Sequence, residues 1–146
     1  MATVSPPWAY TLQLPHDPRA PGIARATLRL VLAAHDLAGL APTAELLASE
    51  LLTNAHPHTK GPYALRIRSS AEPGRLRIAV WDSDSGIPPA FTAPPATGDV
   101  PPDSAENGRG LHLVRACADT WGAHVLGDAR GGKLLWAECG PTEATR

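Results

Sequence analysis

Glu50 and Asn54 stand one helical turn apart in the string Glu50-Leu51-Leu52-Thr53-Asn54. Both fall in phase with Leu47 and Leu51, because positions i, i+3, i+4 and i+7 share a helix face. A carboxylate and an amide therefore occupy a stripe in which apolar side chains are buried, and polar groups so placed need partners. The Asn54 amide oxygen is a hard ligand suited to Mg²⁺, which is usually bound together with substrate phosphates and waters. The Glu50 carboxylate could accept a proton from an attacking hydroxyl or water. A solvated helix face with a local Glu–amide contact would use the same two residues.

A second group follows in Val80-Trp81-Asp82-Ser83-Asp84-Ser85-Gly86. Asp82 ends a strand pattern, where open sheets commonly place ligand groups. A carboxylate there can accept a hydrogen bond from an exocyclic amine such as that of adenine, and Gly86 would let the backbone come close to a base. Asp, Ser and Gly are also ordinary turn formers. The third group, Gly108-Arg109-Gly110-Leu111, opens a helical pattern, so that free N–H groups and the positive end of the helix dipole could meet phosphate. It is neither a G-x-G-x-x-G fingerprint after a strand nor a GxxxxGK[ST] loop.

The elements that must position these groups are legible in outline. Residues 8–14 alternate as an edge strand. Pro18 or Pro21 suits the start of a helix with Ile23, Ala26, Leu30 and Ala33 as its stripe, ending near Gly39. The helix carrying Glu50 and Asn54 spans Thr43 to Ala55, and Pro57 stops or kinks it. Strands at 63–68 and 76–81 flank a turn at Glu72-Pro73-Gly74. From Ile87 to Asn107 three Pro-Pro pairs and no periodicity mark a long loop, a length typical of functional lids or disorder. A helix from Gly108 to about Thr120, with Leu111, Val114 and Ala118 on one face, leads to a hairpin of strands 123–127 and 133–139. This order lacks regular strand–helix alternation, so the expectation is a mixed sheet with helices on one face.

Composition narrows the class. At 146 residues, 43% hydrophobic and 18% charged, the chain can bury a real core. A net charge of −1 argues against a general nucleic-acid or anionic-membrane binder. Cys117 and Cys139 lack CxxC spacing and are expected to be reduced, packed thiols. His56 and His58 could join His112 or His16 at a metal, a weaker reading with a proline between them and no Cys partner nearby. No signal-peptide pattern and no membrane-length apolar run occur, which points to a cytoplasmic protein.

Taken in order, the three groups resemble the boxes of the Bergerat-fold (GHKL) ATPases. The N box of that family reads E-x-x-x-N, as from Glu50 to Asn54, often with a His four residues further on, here His58. Its G1 box, D-x-G-x-G, is similar to Asp82, Asp84 and Gly86, with Asp84 standing at the first glycine. Its G2 box is similar to Gly108-x-Gly110-Leu111. The resemblance covers residues 43 to 122, and the strings SELLTNAHPHT and GRGLHLVRACADTWG resemble the stand-alone anti-sigma-factor serine kinases and their actinobacterial relatives.

That resemblance implies a two-layer α/β sandwich with a mixed, mostly antiparallel sheet and three helices on one face. It implies a single ATP-binding domain over residues 1–146, with residues 87–107 as the ATP lid. Asn54 would hold Mg²⁺, Glu50 would be the general base and Asp82 would read adenine beside Gly86 and Ile87. Gly108, Arg109, Gly110 and Leu111 would contact the phosphates of ATP, with His58 on the phosphate or lid side. The implied activity is phosphorylation of a serine on an antagonist protein, with a sigma factor as the other partner and a homodimer as a common state. Neither direct nucleic-acid nor membrane contact is expected. The alternatives are a nucleotide-dependent binding module that transfers no phosphate, and a simple ATP hydrolase.

Overall fold

The computed structural model describes residues 7–58, 61–70, 72, 74–84, 86–87, 114, 117–126 and 131–141, without the side chains of residues 56–58. Its elements run β1 (Ala9–Leu14), α1 (Ala20–Ala34), a 3₁₀ turn (Ala38–Leu40), α2 (Ala41–His58), β2 (Tyr63–Ser69), β3 (Leu76–Asp82), β4 (Thr120–Val125) and β5 (Lys133–Cys139). The five strands form one sheet in the order β1-β2-β3-β5-β4.

Strict alternation gives the sheet two different faces. Leu65, Ile67, Leu76, Ile78, Val80, Leu135, Ala137 and Cys139 point to the helices and form one core with Leu28, Leu32, Leu47, Leu51 and Leu52. The other face carries rows set by register. In one, Arg66 pairs with Ala79 and Ala79 with Trp136; in the next, Arg68 pairs with Arg77 and Arg77 with Glu138. Arg77 lies 3.8 Å over the Trp136 ring and donates to Glu138 at 2.7 Å.

Every strand pair is antiparallel, so the expected mixed sheet is corrected. Two helices between β1 and β2 reverse the chain once more than one helix would. β3 and β4 do run in the same direction, but β5 inserts between them and is antiparallel to both.

α1 is also corrected. Its buried face is Ala20, Ala24, Leu28, Val31 and Leu32, whereas the anticipated stripe faces outward, with Ile23 56% and Leu30 71% exposed. Both sets satisfy helical spacing; the denser one, with three large aliphatic side chains in its last two turns, takes the core. α1 ends at Ala34 rather than near Gly39. Asp36 takes a left-handed φ of 61°, and the Leu37 N–H returns to the Leu32 carbonyl at 2.7 Å, a Schellman closure that Asp tolerates without glycine.

Of the anticipated third helix the structure describes Val114 and residues 117–120. Val114 and Cys117 are helical and the Ala118 N–H donates to the Val114 carbonyl at 2.8 Å; residues 108–113, 115 and 116 lie outside the described residues, as does nearly all of the 87–107 loop. Val114 and Ala118 are buried. Cys117 is exposed, so only Cys139 is the packed thiol expected. Burial pushes the Cys139 thiol up to about 11. β4 starts at Thr120, inside the segment anticipated as helix. Gly122 belongs to that strand, because a Cβ there would lie 2.5 Å from the Trp136 ring that crosses it.

Candidate functional site

α2 delivers Asn54 to one end of the sheet. At about 100° per residue, Glu50 and Asn54 lie roughly 40° apart on one flank of the Ala44/Leu47/Leu51/Ala55 stripe. That angle separates their environments: Asn54 is 7% exposed, while Glu50, further round the helix, is half-buried. The Asn54 Oδ1 atom is fully buried and accepts no hydrogen bond among the described residues. An amide oxygen sequestered in that way is costly unless a ligand or water satisfies it. A hard divalent cation is the ligand whose chemistry matches a neutral oxygen donor.

Asp82 reaches the same end by a different route. Four residues separate α2 from β2, and the start of β2 pairs with the end of β3 through Ala64 and Trp81. The carboxyl end of β3 therefore lies beside the carboxyl end of α2. Asp82 is on the helix-facing side, in phase with Leu76, Ile78 and Val80, and is 1% exposed.

Two successive Asx turns shape the chain after it. Asp82 Oδ1 accepts the Asp84 N–H at 2.8 Å and Asp84 Oδ1 accepts the Gly86 N–H at 3.0 Å. Asp84, the residue at the first G1-box glycine, is exposed and directs its carboxylate to Gly86 rather than into the Asp82 environment. Among the described residues a Cβ on Gly86 would meet only Asp84 Oδ1, at 3.4 Å, so none of them demands glycine there. Ile87 folds back against the core.

Sequence reasoning missed Lys133. This first residue of β5 pairs in register with Asp82 and is 1% exposed. Its Nζ donates to Asp82 Oδ1 and to the Asp84 carbonyl, both at 3.0 Å. The approach depends on Gly132, whose φ is +86° and where a Cβ would sit 2.1 Å from the Asp82 carbonyl oxygen. One signal was available, since Lys133 shares its phase with Leu135, Ala137 and Cys139, an inward phase in which a lysine needs a partner.

The structure thus gathers Asn54, Asp82, Gly86, Ile87 and Lys133 toward one end of the sheet, with Glu50 one turn back along α2. The side chain of His58, though its backbone belongs to α2, and all of Gly108, Arg109, Gly110 and Leu111 lie outside the described residues. So do the side chain of His56 and all of His112; among the described residues no group of three His, Cys, Asp or Glu could hold a metal. A separate cleft on the open sheet face, lined by Arg68, Ser70, Arg75, Arg77 and Glu138, has most of its charge paired internally, Arg75 with Asp119 and Arg77 with Glu138. No helix among the described residues is long and apolar enough to cross a membrane.

A protein of Streptomyces coelicolor described only as uncharacterized is 34% identical over 83 residues, covering 56% of this chain and 73% of its own length. The sequence model of the histidine kinase-like ATPase domain matches residues 14–137, from the end of β1 to β5, and so spans every element that builds the site. The chain belongs to the histidine kinase-like ATPase domain family.

Proposed function

We propose that this ATP-binding domain is a regulatory protein of the anti-sigma-factor type that phosphorylates a serine of an antagonist protein with Mg·ATP. The observation that carries the reading is the buried, unsatisfied Asn54 Oδ1 at the end of the sheet where Asp82 closes β3. A cation taken up there neutralises charge on the phosphate oxygens when nucleotide is bound. Asp82 receives the exocyclic amine of adenine, with Gly86 and Ile87 beside the base. Gly108, Arg109, Gly110 and Leu111 meet the phosphates at the amino end of their helix, with His58 nearby.

Transfer follows an in-line path. The partner's serine oxygen bonds to the γ-phosphorus as the bridging bond to the β-phosphate breaks, its electron pair leaving with ADP. The serine proton passes to the Glu50 carboxylate. Catalysis is then mainly positioning and charge neutralisation. The half-buried setting of Glu50, one turn before Asn54, supports its part in this scheme. A cytoplasmic location, a sigma factor as second partner and a homodimer belong to the same proposal.

The test begins with thermal shifts under ATP or ADP, with and without Mg²⁺. A magnesium-dependent stabilisation by both nucleotides is expected, and its absence removes the reading. With the antagonist present, γ-labelled phosphate is expected on serine and to be lost in Glu50→Ala. Binding without any transfer would instead establish a nucleotide-dependent binding module, and phosphate release without an acceptor a simple hydrolase.

A further inference from the structure

The Lys133 ammonium is the feature that the nucleotide reading does not use. Lysine is almost never buried unless it is paired, and this one ties together three segments: the end of β3 through Asp82, the following turn through the Asp84 carbonyl, and the start of β5. Its contact with Asp82 is selective. The Asp84 N–H and Lys133 Nζ both reach Oδ1, and among the described residues no donor reaches Oδ2. A carboxylate held at one oxygen by two donors cannot rotate freely about its terminal torsion.

We propose that Lys133 is the positioning residue for base recognition: it fixes Asp82 through Oδ1 and reserves Oδ2 for a 6-amino group. This rests on the reading of Asp82 as the base-contacting carboxylate. Lys133 also resolves the crowding of two acidic residues at the G1-like box. Its ammonium is the counter-charge to Asp82, and its second bond, to the Asp84 carbonyl, holds the backbone from which the Asp84 side chain turns away to Gly86. The Gly131-Gly132 pair that precedes it, both at positive φ, is the backbone device that lets this strand come so near to Asp82.

The test compares affinity for ATP with that for purine riboside triphosphate, which lacks the 6-amino group, in the native protein and in Lys133→Met. The native protein should prefer ATP by about ten-fold, the worth of one hydrogen bond to a charged acceptor. Lys133→Met should still bind both through their phosphates while the preference falls below about three-fold. A variant that keeps the full preference, or that loses both nucleotides equally, overturns the assignment, because a merely structural lysine would not separate the two.

Should Lys133→Met fail to fold, the native protein still decides. Lys60 and Lys133 are its two lysines, so ¹⁵N-lysine labelling yields two ammonium signals, assigned with Lys60→Arg. The Lys133 signal should move with saturating ATP and stay in place with Mg-tripolyphosphate; a signal that ATP leaves unmoved overturns the proposal. A native protein that binds neither nucleotide refutes the nucleotide reading itself, and this assignment with it.

Discussion

Replacing Asp82 with Asn separates stability from binding. Asp82 and Lys133 are both almost fully buried, with Nζ and Oδ1 3.0 Å apart. Removing one charge from such a pair leaves the other without compensation in a poorly solvated place, at a cost of about 3 to 5 kcal/mol. The Asp84 carbonyl still accepts from Lys133 in Asp82→Asn, and the asparagine oxygen can replace one acceptor, so the expected loss lies near the low end, about 3 kcal/mol. At roughly 3 °C per kcal/mol for a chain of this size, Tm should fall by about 10 °C. The double variant Asp82→Asn/Lys133→Met removes both charges and should lie within about 1 to 2 kcal/mol of the native protein. Urea unfolding of the native protein, the two single variants and the double variant gives the coupling energy directly. Additivity of the two single costs to within about 0.5 kcal/mol would refute a mutually dependent buried pair. The baseline matters for ligand assays as well: nucleotide-induced shifts in Asp82→Asn must be referred to that variant's own lowered Tm.

Two further outcomes follow from packing and charge. Leu28→Ala, in the face of α1 that meets the core, should cost about 2 to 5 kcal/mol, whereas Leu30→Ala, 71% exposed on the opposite face, should change stability by less than about 0.5 kcal/mol; equal costs in denaturant unfolding would return the buried stripe to Ile23 and Leu30. At Glu138 burial alone would raise the carboxyl, but the hydrogen bond and charge of Arg77, with hydrogen bonds from Thr120 and Ser70, outweigh it and hold the group below its ordinary value of 4.5. A depressed carboxylate contributes stability that is present above its unfolded value and lost as pH falls through the folded one. Glu138→Gln should therefore be less stable than the native protein near neutrality, and the gap should close from about pH 5 downward; a gap independent of pH would contradict it.

The strand alternation of Leu65 and Ile67, and of Leu76, Ile78 and Val80, was legible because each run has a single apolar phase. α1 was not, because Ile23 and Leu30 compete with Ala24, Leu28, Val31 and Leu32 for the same helical spacing, and only tertiary packing chooses between them. Gly122 reads locally as a breaker, yet it lies in a strand to make room for an aromatic ring fourteen residues later in the chain. Asn54 and Asp82 could be singled out from their types and places in the pattern. Lys133 could not be joined to them, since its role depends on register between two strands fifty-one residues apart, which no local pattern encodes.

That insertion of β5 between β3 and β4 also sets a timetable for synthesis. As the chain leaves the ribosome, β3 emerges with one edge unpaired and keeps it so until the segment from Lys133 to Cys139 follows. During that interval Asp82 has no lysine opposite it, and the apolar run from Leu76 to Val80 has an open flank, the kind of exposed edge that invites wrong pairing. The contacts across that edge therefore form only once β5 has been made, and the nascent chain depends on being kept apart from its neighbours until that strand arrives.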